Sequence, residues 1–526
     1  MSGEYIRVAS LQELQTKGRQ VVKTHGKQIV LFKSNSKILA CNNRCPHEGY
    51  PLSEGSLSND CVLTCNWHNW KFDLANGKTL VGGDQLRTYT TKIIGDDIFV
   101  DIMDPPKEIM IERSLANLKA SFRRQEYDRM AREISRFEKA GGDPLEPVRQ
   151  AVLWTHDHFE FGMTHAFAAA PDWLTLRDQE GFSAPERLIP LVETIGHMSW
   201  DSLREQAYPF TTKQTPFNPG KFEKAIEEED EETAISHLND ALNQGIETDT
   251  LFKPLTRAAL NHYAGFGHSA IYTYKIQQLI SHLGDTVRAP LLKALIRNLI
   301  YASREDLLPE FKHYASSLEK WETNTPSPEH PLEIEGAGVN EALSLTLKYA
   351  SDDPEKIFSR LLRQLARNML YFNLDIMDRW DNSVSSNVSW LDFSHGLTFA
   401  NAVRSHCRSD PDLWPKALLQ MACFSGRNAS FVDFDQDVDT WNINDSDLFF
   451  KEAKSNILDH ANPEFIVSSH LIKIMTAVEV EVRQEPNGIY VPELLAATNR
   501  FLSSPFKRKH TKRTAFQALE FVARED

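Results

Sequence analysis

The chain has 526 residues, 41% hydrophobic and 25% charged, which is more than one hydrophobic core organises, so several globular units are expected. A formal net charge of −15 argues against nucleic acid and anionic membrane surfaces as main partners. Met1-Ser2-Gly3-Glu4-Tyr5 offers no apolar signal segment and no run of about eighteen apolar residues occurs, so a soluble, cytoplasmic protein is expected.

Residues 1–103 read as short strands. Gln28-Ile29-Val30-Leu31-Phe32, Lys37-Ile38-Leu39-Ala40-Cys41, Val62-Leu63-Thr64 and Asp97-Ile98-Phe99-Val100 are β-rich runs broken by Gly, Asn and Ser. Asp104-Pro105-Pro106-Lys107 ends that pattern, and 104–144 is expected to hold a linker and a leading helix. Helical periodicity follows over 115–140, 222–242 and a long apolar stretch at 255–283. It continues over 289–302, 341–349, 355–371, 397–408 and 463–482, with no fixed-period repeat. The acidic run 227–232 reads as a solvated helix start and Lys507-Arg508-Lys509 as a solvated face. The expected fold class is multidomain, a small all-β domain (1–103) followed by a large all-α domain (145–526).

Two segments in the β-rich region carry chemistry. Cys45-Pro46-His47 and Cys65-Asn66-Trp67-His68 each offer one thiolate and one imidazole, spaced Cys-x-His and Cys-x-x-His. Such a set suits two hairpin tips: Pro46 stiffens the first, and Gly49 and Gly55 let the backbone run close to inorganic sulfurs. Two thiolates on one iron and two imidazoles on the other are the donors of a Rieske [2Fe–2S] cluster, in which neutral His raises the potential. Zinc fingers pair Cys with Cys and His with His instead. With Trp70, Phe72, Asp73 and Gly77 following, the segments resemble Rieske ferredoxins and the electron-entry domains of Rieske oxygenases. The resemblance implies that Cys45, His47, Cys65 and His68 hold the cluster, with Trp67 and Trp70 candidates to pack on it. The respiratory type adds a disulfide beside the cluster. Here Cys41 and Cys61, each four residues before a ligand, are read as buried, reduced thiols, and the first loop has no Cys after His47.

A fused one-electron donor calls for an acceptor. A ring-hydroxylating subunit needs His-x-x-x-x-His with a downstream Asp on a mixed sheet, and none of the 18 His has that spacing. A di-iron bundle needs two Glu-x-x-His pairs, and one, Glu310-Phe311-Lys312-His313, is clear. No Cys-x-x-Cys-His haem attachment exists. What remains is a set of His on apolar helical segments. His158 and His165 are seven apart and expected to share a helix face. His268 follows Gly265-Phe266-Gly267, His395 lies in Phe393-Ser394-His395-Gly396-Leu397-Thr398, and His470 and Lys473 are one turn apart. Lys473 can ligate only as a neutral amine or a carbamate, and is otherwise a hydrogen-bond donor behind the ligands or an ordinary snorkelling lysine. Imidazole-rich ligation with redox input favours iron.

In four islands between about 145 and 490, these segments resemble, in order, the questin oxidase-like family of all-α oxidoreductases that act on aromatic polyketides. The islands are the His165 segment, Gly-Phe-Gly-His268, His395-Gly-Leu-Thr398 with Asn401-Ala-Val-Arg404, and His470-x-x-Lys473. Tyr272 stands where the family has a second His, four residues after His268. The resemblance implies a mononuclear iron held by His165, His268, His395 and His470, with Lys473 beside it and His158 in reserve.

The function expected is a Rieske-dependent iron oxygenase. The [2Fe–2S] cluster feeds the non-haem iron for O2-dependent hydroxylation or ring cleavage of a small organic substrate, with aromatic compounds among the candidates. No Gly-x-Gly-x-x-Gly fingerprint is visible, so the donor is expected to be a separate NAD(P)H-dependent reductase. Transfer runs within one chain or between subunits of a homo-oligomer. The alternative is a Rieske electron carrier whose helical domain is a non-catalytic docking module, with His scattered on its surface.

Overall fold

The computed structural model describes residues 3–34, 37–202, 206–381, 383–506 and 510–524. Met1, Ser2 and the Lys507-Arg508-Lys509 run lie outside the described residues. The chain forms two compact units, Met1–Pro147 and Val148–Asp526.

The first unit is built on short antiparallel strands. Tyr5–Ser10, Asp97–Asp101 and Thr91–Ile94 form one sheet in that order, and Arg19–Thr24, Lys27–Ser34, Lys37–Asn42 and Thr88–Tyr89 a second. The third runs Ser56–Leu57, Val62–Thr64, Lys71–Asp73, Thr79–Val81. Strand Lys27–Ser34 explains why its central run, Ile29-Val30-Leu31-Phe32, is apolar without interruption. Successive side chains leave a strand on opposite faces, and here both faces are covered. Val30 and Phe32 enter a core with Cys41, Cys45, Leu52, Leu63, Cys65 and Phe72. Ile29 and Leu31 enter another with Ile38, Ala40, Ile98 and Val100. Both thiols are free, and they differ in burial: Cys41 is buried as expected, whereas Cys61 is only half-buried, 3.4 Å from the Ser34 hydroxyl. After Asp104 come two helices, Lys107–Phe122 and Tyr127–Lys139, packed on each other. The periodic stretch 115–140 is thus broken, with Gln125 left-handed at φ 56° in the turn between them.

The second unit is helical, and among its described residues extended pairing is confined to isolated bridges such as Ala264–Arg304 and Phe372–Val432. No helix described is long and apolar enough to cross a membrane. Helices His165–Arg177, His268–Leu283, Trp390–Ser409 and Phe465–Gln484 pack in a closed ring, each against the next. Their segments are apolar nearly all round because neighbours cover them on several sides. A buried bridge ties two of them together: Arg404 Nη1 donates to Glu481 Oε2 (2.6 Å), and Asn401 Nδ2 to Glu481 Oε1 (2.8 Å).

Three helical expectations change. The 255–283 stretch is two helices, Thr248–Asn261 and His268–Leu283, because Gly265, Phe266 and Gly267 are all left-handed (φ 58°, 47° and 78°). The acidic run closes helix Pro219–Glu227 and opens Glu231–Asn243, where the Asp230 carboxylate accepts from the Thr233 N–H at 3.0 Å. His158 and His165 share no helix, since Glu146–Thr155 ends before the one and His165–Arg177 begins at the other.

His406 gives the bundle a measurable pH dependence. Its Nε2–H donates to the Ala270 carbonyl at 3.0 Å, and burial pushes its pKa from 6.5 down to about 4. Between those values the unfolded chain takes up a proton that the folded chain refuses, so stability falls as pH falls through this window, by up to about 3 kcal/mol. His406→Gln is expected to lose less Tm than the parent between pH 7 and about pH 4.5, measured by thermal melts.

Candidate metal centres

The first centre sits on two loops with matching backbones. The Cys45 N–H donates to the Tyr50 carbonyl (2.9 Å) and the Gly49 N–H to the Cys45 carbonyl (2.8 Å). The Cys65 N–H donates to the Trp70 carbonyl (2.8 Å) and the Asn69 N–H to the Cys65 carbonyl (3.0 Å). Both loops turn through a left-handed residue four after the Cys, Gly49 at φ 77° and Asn69 at φ 59°, residue types that accept this conformation. Gly55, by contrast, is needed for a close approach to its own sheet, because a Cβ there would lie 2.6 Å from the Thr64 carbonyl oxygen.

This folding brings Cys45, His47, Cys65 and His68 together. The two thiols are free and buried, and burial pushes Cys45 up to about 11, with Cys65 beside it adding to the rise. The His47 and His68 rings are 4.7 Å apart, and Trp70 stacks on His47 at 4.5 Å and 12°. His47 Nδ1 is buried with no hydrogen-bond partner, while its Nε2 faces Glu48 at 3.6 Å. An orphaned buried nitrogen beside two reduced thiols fits a [2Fe–2S] group taking thiolate and imidazole donors. Trp67 lies on the outer side: it is 62% exposed, its ring is tilted at 38° and 5.6 Å from His68, and it meets Tyr50 edge-on.

The second centre is made by the ring of helices. His165 and His268 are the first residues of their helices, whereas His395 and His470 project from helix interiors. The four Nε2 atoms meet in sequence: His165 to His268 at 3.2 Å, His268 to His395 at 2.9 Å, and His395 to His470 at 3.4 Å. The His470 and His165 rings close the circuit at 4.8 Å between centroids.

Each Nδ1 is directed elsewhere. His395 donates to the Leu391 carbonyl (2.5 Å) and His470 to the Ile466 carbonyl (2.6 Å), each one turn back in its own helix. His268 donates to the Gly265 carbonyl, and His165 Nδ1 has the Tyr272 oxygen at 3.5 Å. Carbonyls only accept, so in the neutral rings of His268, His395 and His470 the Nε2 atoms are bare lone pairs aimed at one another. Burial holds all four pKa values down, His268 at about 4, so the rings are neutral near pH 7, the form that binds metal. A metal–imidazole bond of about 2.1 Å puts neighbouring donors about 3.0 Å apart at right angles and about 3.4 Å apart at tetrahedral angles. The observed spacings fall in that range, and the donors fit a cation.

Lys473 is buried, one turn beyond His470, and its Nζ has no hydrogen-bond partner among the described residues. Burial pushes it down to about 7, against the pull of Asp172. Asp172 and Lys275, a buried pair at 2.7 Å, escaped sequence reading. The signal was present: Asp172 interrupts the apolar run 166–174, and Lys275 lies two turns after His268. His158 stands apart, in the loop after Glu146–Thr155, with its Nε2 3.8 Å from Asp157.

The glycine before His268 sets that ring's position. A Cβ on Gly267 would approach Phe399 to 2.8 Å and Phe424 to 2.9 Å, at φ 78°. Gly267→Ala is expected to cost roughly 2 kcal/mol in a denaturant titration. It should also lower metal content at the helical centre while leaving the first centre's spectrum unchanged.

Residues 4–89 match the Rieske [2Fe-2S] domain model. The 3-phenylpropionate/cinnamic acid dioxygenase ferredoxin subunits of Escherichia coli (strain K12) and Shigella boydii serotype 4 are each 38% identical over 76 residues, 14% of this chain and 72% of theirs. Among solved structures, the ferredoxin of carbazole 1,9a-dioxygenase from Nocardioides aromaticivorans IC177 is 23% identical, covers 18% of this chain and 95% of its own, and has a TM-score of 0.17. A complex of reduced oxygenase and oxidized ferredoxin in carbazole 1,9a-dioxygenase gives 19%, with 20% and 98% covered and a TM-score of 0.18. With two thiols and two imidazoles gathered on matching loops inside the matched segment, the chain belongs, through its N-terminal domain, to the Rieske [2Fe-2S] family.

Proposed function

We propose that the chain is an oxidoreductase with two metal centres. Cys45, His47, Cys65 and His68 hold a [2Fe–2S] cluster, and His165, His268, His395 and His470 hold a mononuclear non-haem iron. When bound, the cluster supplies single electrons and the iron supplies O2-dependent oxidation of an organic substrate, by hydroxylation or ring cleavage, with planar aromatic compounds the first to try. Electrons come from a separate NAD(P)H-dependent reductase.

The observation that carries this reading is the circuit of Nε2 atoms whose partner nitrogens point to protein acceptors. Neutral lone pairs at 2.9–3.4 Å repel unless a proton or a cation lies between them. The helix carbonyls of Leu391 and Ile466 fix ring orientation and tautomer, as acceptors behind ligating imidazoles do. The Tyr272 hydroxyl lies behind His165, 3.5 Å from its Nδ1. Lys473 brings unused donors into the same buried space. Charged, it can donate to a substrate oxygen; neutral, it can ligate.

One observation favours a second reading. The relatives matched are ferredoxin subunits of a dioxygenase, which would suit an electron carrier whose helical unit docks a partner oxygenase. That account has no use for four inward, neutral imidazoles and an unpartnered buried amine.

Metal analysis of anaerobically purified full chain separates the two. The proposal expects three irons per polypeptide, falling to two in His395→Ala with the cluster's visible spectrum retained. Two irons in both proteins, with the cluster full and no other metal found, would leave the electron-carrier reading. A different metal in the third place, lost in the variant, would keep the site and discard the iron.

A further inference from the structure

A buried charge cluster lies behind the first metal-binding loop, and nothing in electron transfer as described requires it. Helix Tyr127–Lys139 carries Arg129, Arg132 and Arg136 at spacings of three and four, so all lie on one face. They converge on Asp84, whose side chain is fully buried: Arg129 Nε at 3.1 Å, Arg132 Nε at 2.7 Å and Arg136 Nη2 at 2.9 Å. Arg136 Nη2 also donates to the Pro46 carbonyl at 3.2 Å, and its Nη1 pairs with buried Glu133 at 2.5 Å. Pro46 is the residue between Cys45 and His47.

The same helix reaches His47 by a second path. Arg129 Nη2 donates to the Gly83 carbonyl at 2.8 Å. A Cβ on neighbouring Gly82 would lie 2.3 Å from the Trp70 ring, and that ring stacks on His47. Backbone and ring contacts therefore connect the arginine face to one imidazole, while Arg136 hydrogen-bonds the loop directly.

We propose that Arg136 and Asp84 are positioning residues that set the redox potential of the cluster, the guanidinium raising it and the carboxylate lowering it. The inference rests on Cys45, His47, Cys65 and His68 holding the cluster. Reduction adds one electron from a low-potential reductant, with no bond made or broken, so the reduced form carries one more negative charge. A guanidinium bonded to the ligand loop favours that form, and a carboxylate opposes it. In a partly buried setting such charges are weakly screened.

The test is spectroelectrochemical titration of the cluster in the full chain, with dithionite as reductant. Arg136→Gln is expected to lower the potential, changing the reduced-to-oxidised ratio at fixed poise about tenfold, equivalent to about 59 mV for one electron. Arg136→Lys should stay near the parent, and Asp84→Asn should raise the potential. Shifts of the same sign in Arg136→Gln and Asp84→Asn would mean mere loosening of the loop and overturn the inference. So would unmoved potentials with the cluster spectrum intact. Asp84→Asn strands the buried Arg129 guanidinium and removes the partner of Arg132 and Arg136; if it does not fold, the Arg136→Gln and Arg136→Lys pair decides, since both alter the geometry and one keeps the charge. A parent chain with no [2Fe–2S] spectrum would overturn the ligand assignment, and this inference with it.

Discussion

An imidazole offers a lone pair to a cation only if its proton is held on the other nitrogen, and the helical unit is organised around that requirement. For His395 and His470 the helix itself supplies the acceptor, because a carbonyl already bonded to the N–H four residues on keeps a second lone pair. His165 and His268 begin their helices and have no such carbonyl one turn back inside the helix. His165 has a tertiary neighbour, Tyr272, and His268 the carbonyl of Gly265 in the left-handed turn directly before it. Neutrality comes from burial, and burial comes from closing the ring of helices. The Arg404–Glu481 bridge then locks two of the four helices against sliding.

The two centres solve the same problem with different backbone. In the β-domain, ligands ride on loops whose shape is set by local hydrogen bonds and one left-handed residue each, and aromatic packing of Trp70 backs one of them. In the helical unit the four clustered imidazoles are carried by helices, and irregular backbone is concentrated before His268. Phe266, a bulky residue at φ 47°, is held there while its N–H donates to Glu305. Such a conformation costs of order 1 kcal/mol or more and persists because the surroundings over-determine it.

The β-domain was legible from the sequence because its chemistry is local: ligand pairs two and three residues apart, and turn residues beside them. The all-α character of the rest was legible from periodicity. What periodicity could not show were breaks without proline, at Gln125 and Glu229, where single left-handed residues turn the chain. It also ran straight across Gly265-Phe266-Gly267, since two glycines in an apolar run register weakly against their surroundings. His158 looked equivalent to its neighbour two turns on only because the loop between them was invisible. Asp172 and Lys275 were passed over because each is one charge in an apolar run, and their pairing exists only in three dimensions.

The His contacts of the second centre join residues separated by 103, 127 and 75 positions. No fragment of the unit contains the site in miniature, and no local segment can pre-form it. Its donors come into register only when the last of the four ring helices, Phe465–Gln484, closes against His165–Arg177. The loops from Cys45 to His68 need only neighbouring hairpins of one small domain. The two sets of side chains therefore differ in how much chain each needs: the first lies within one small domain, and the second requires all four helices, made from residues 165 to 484.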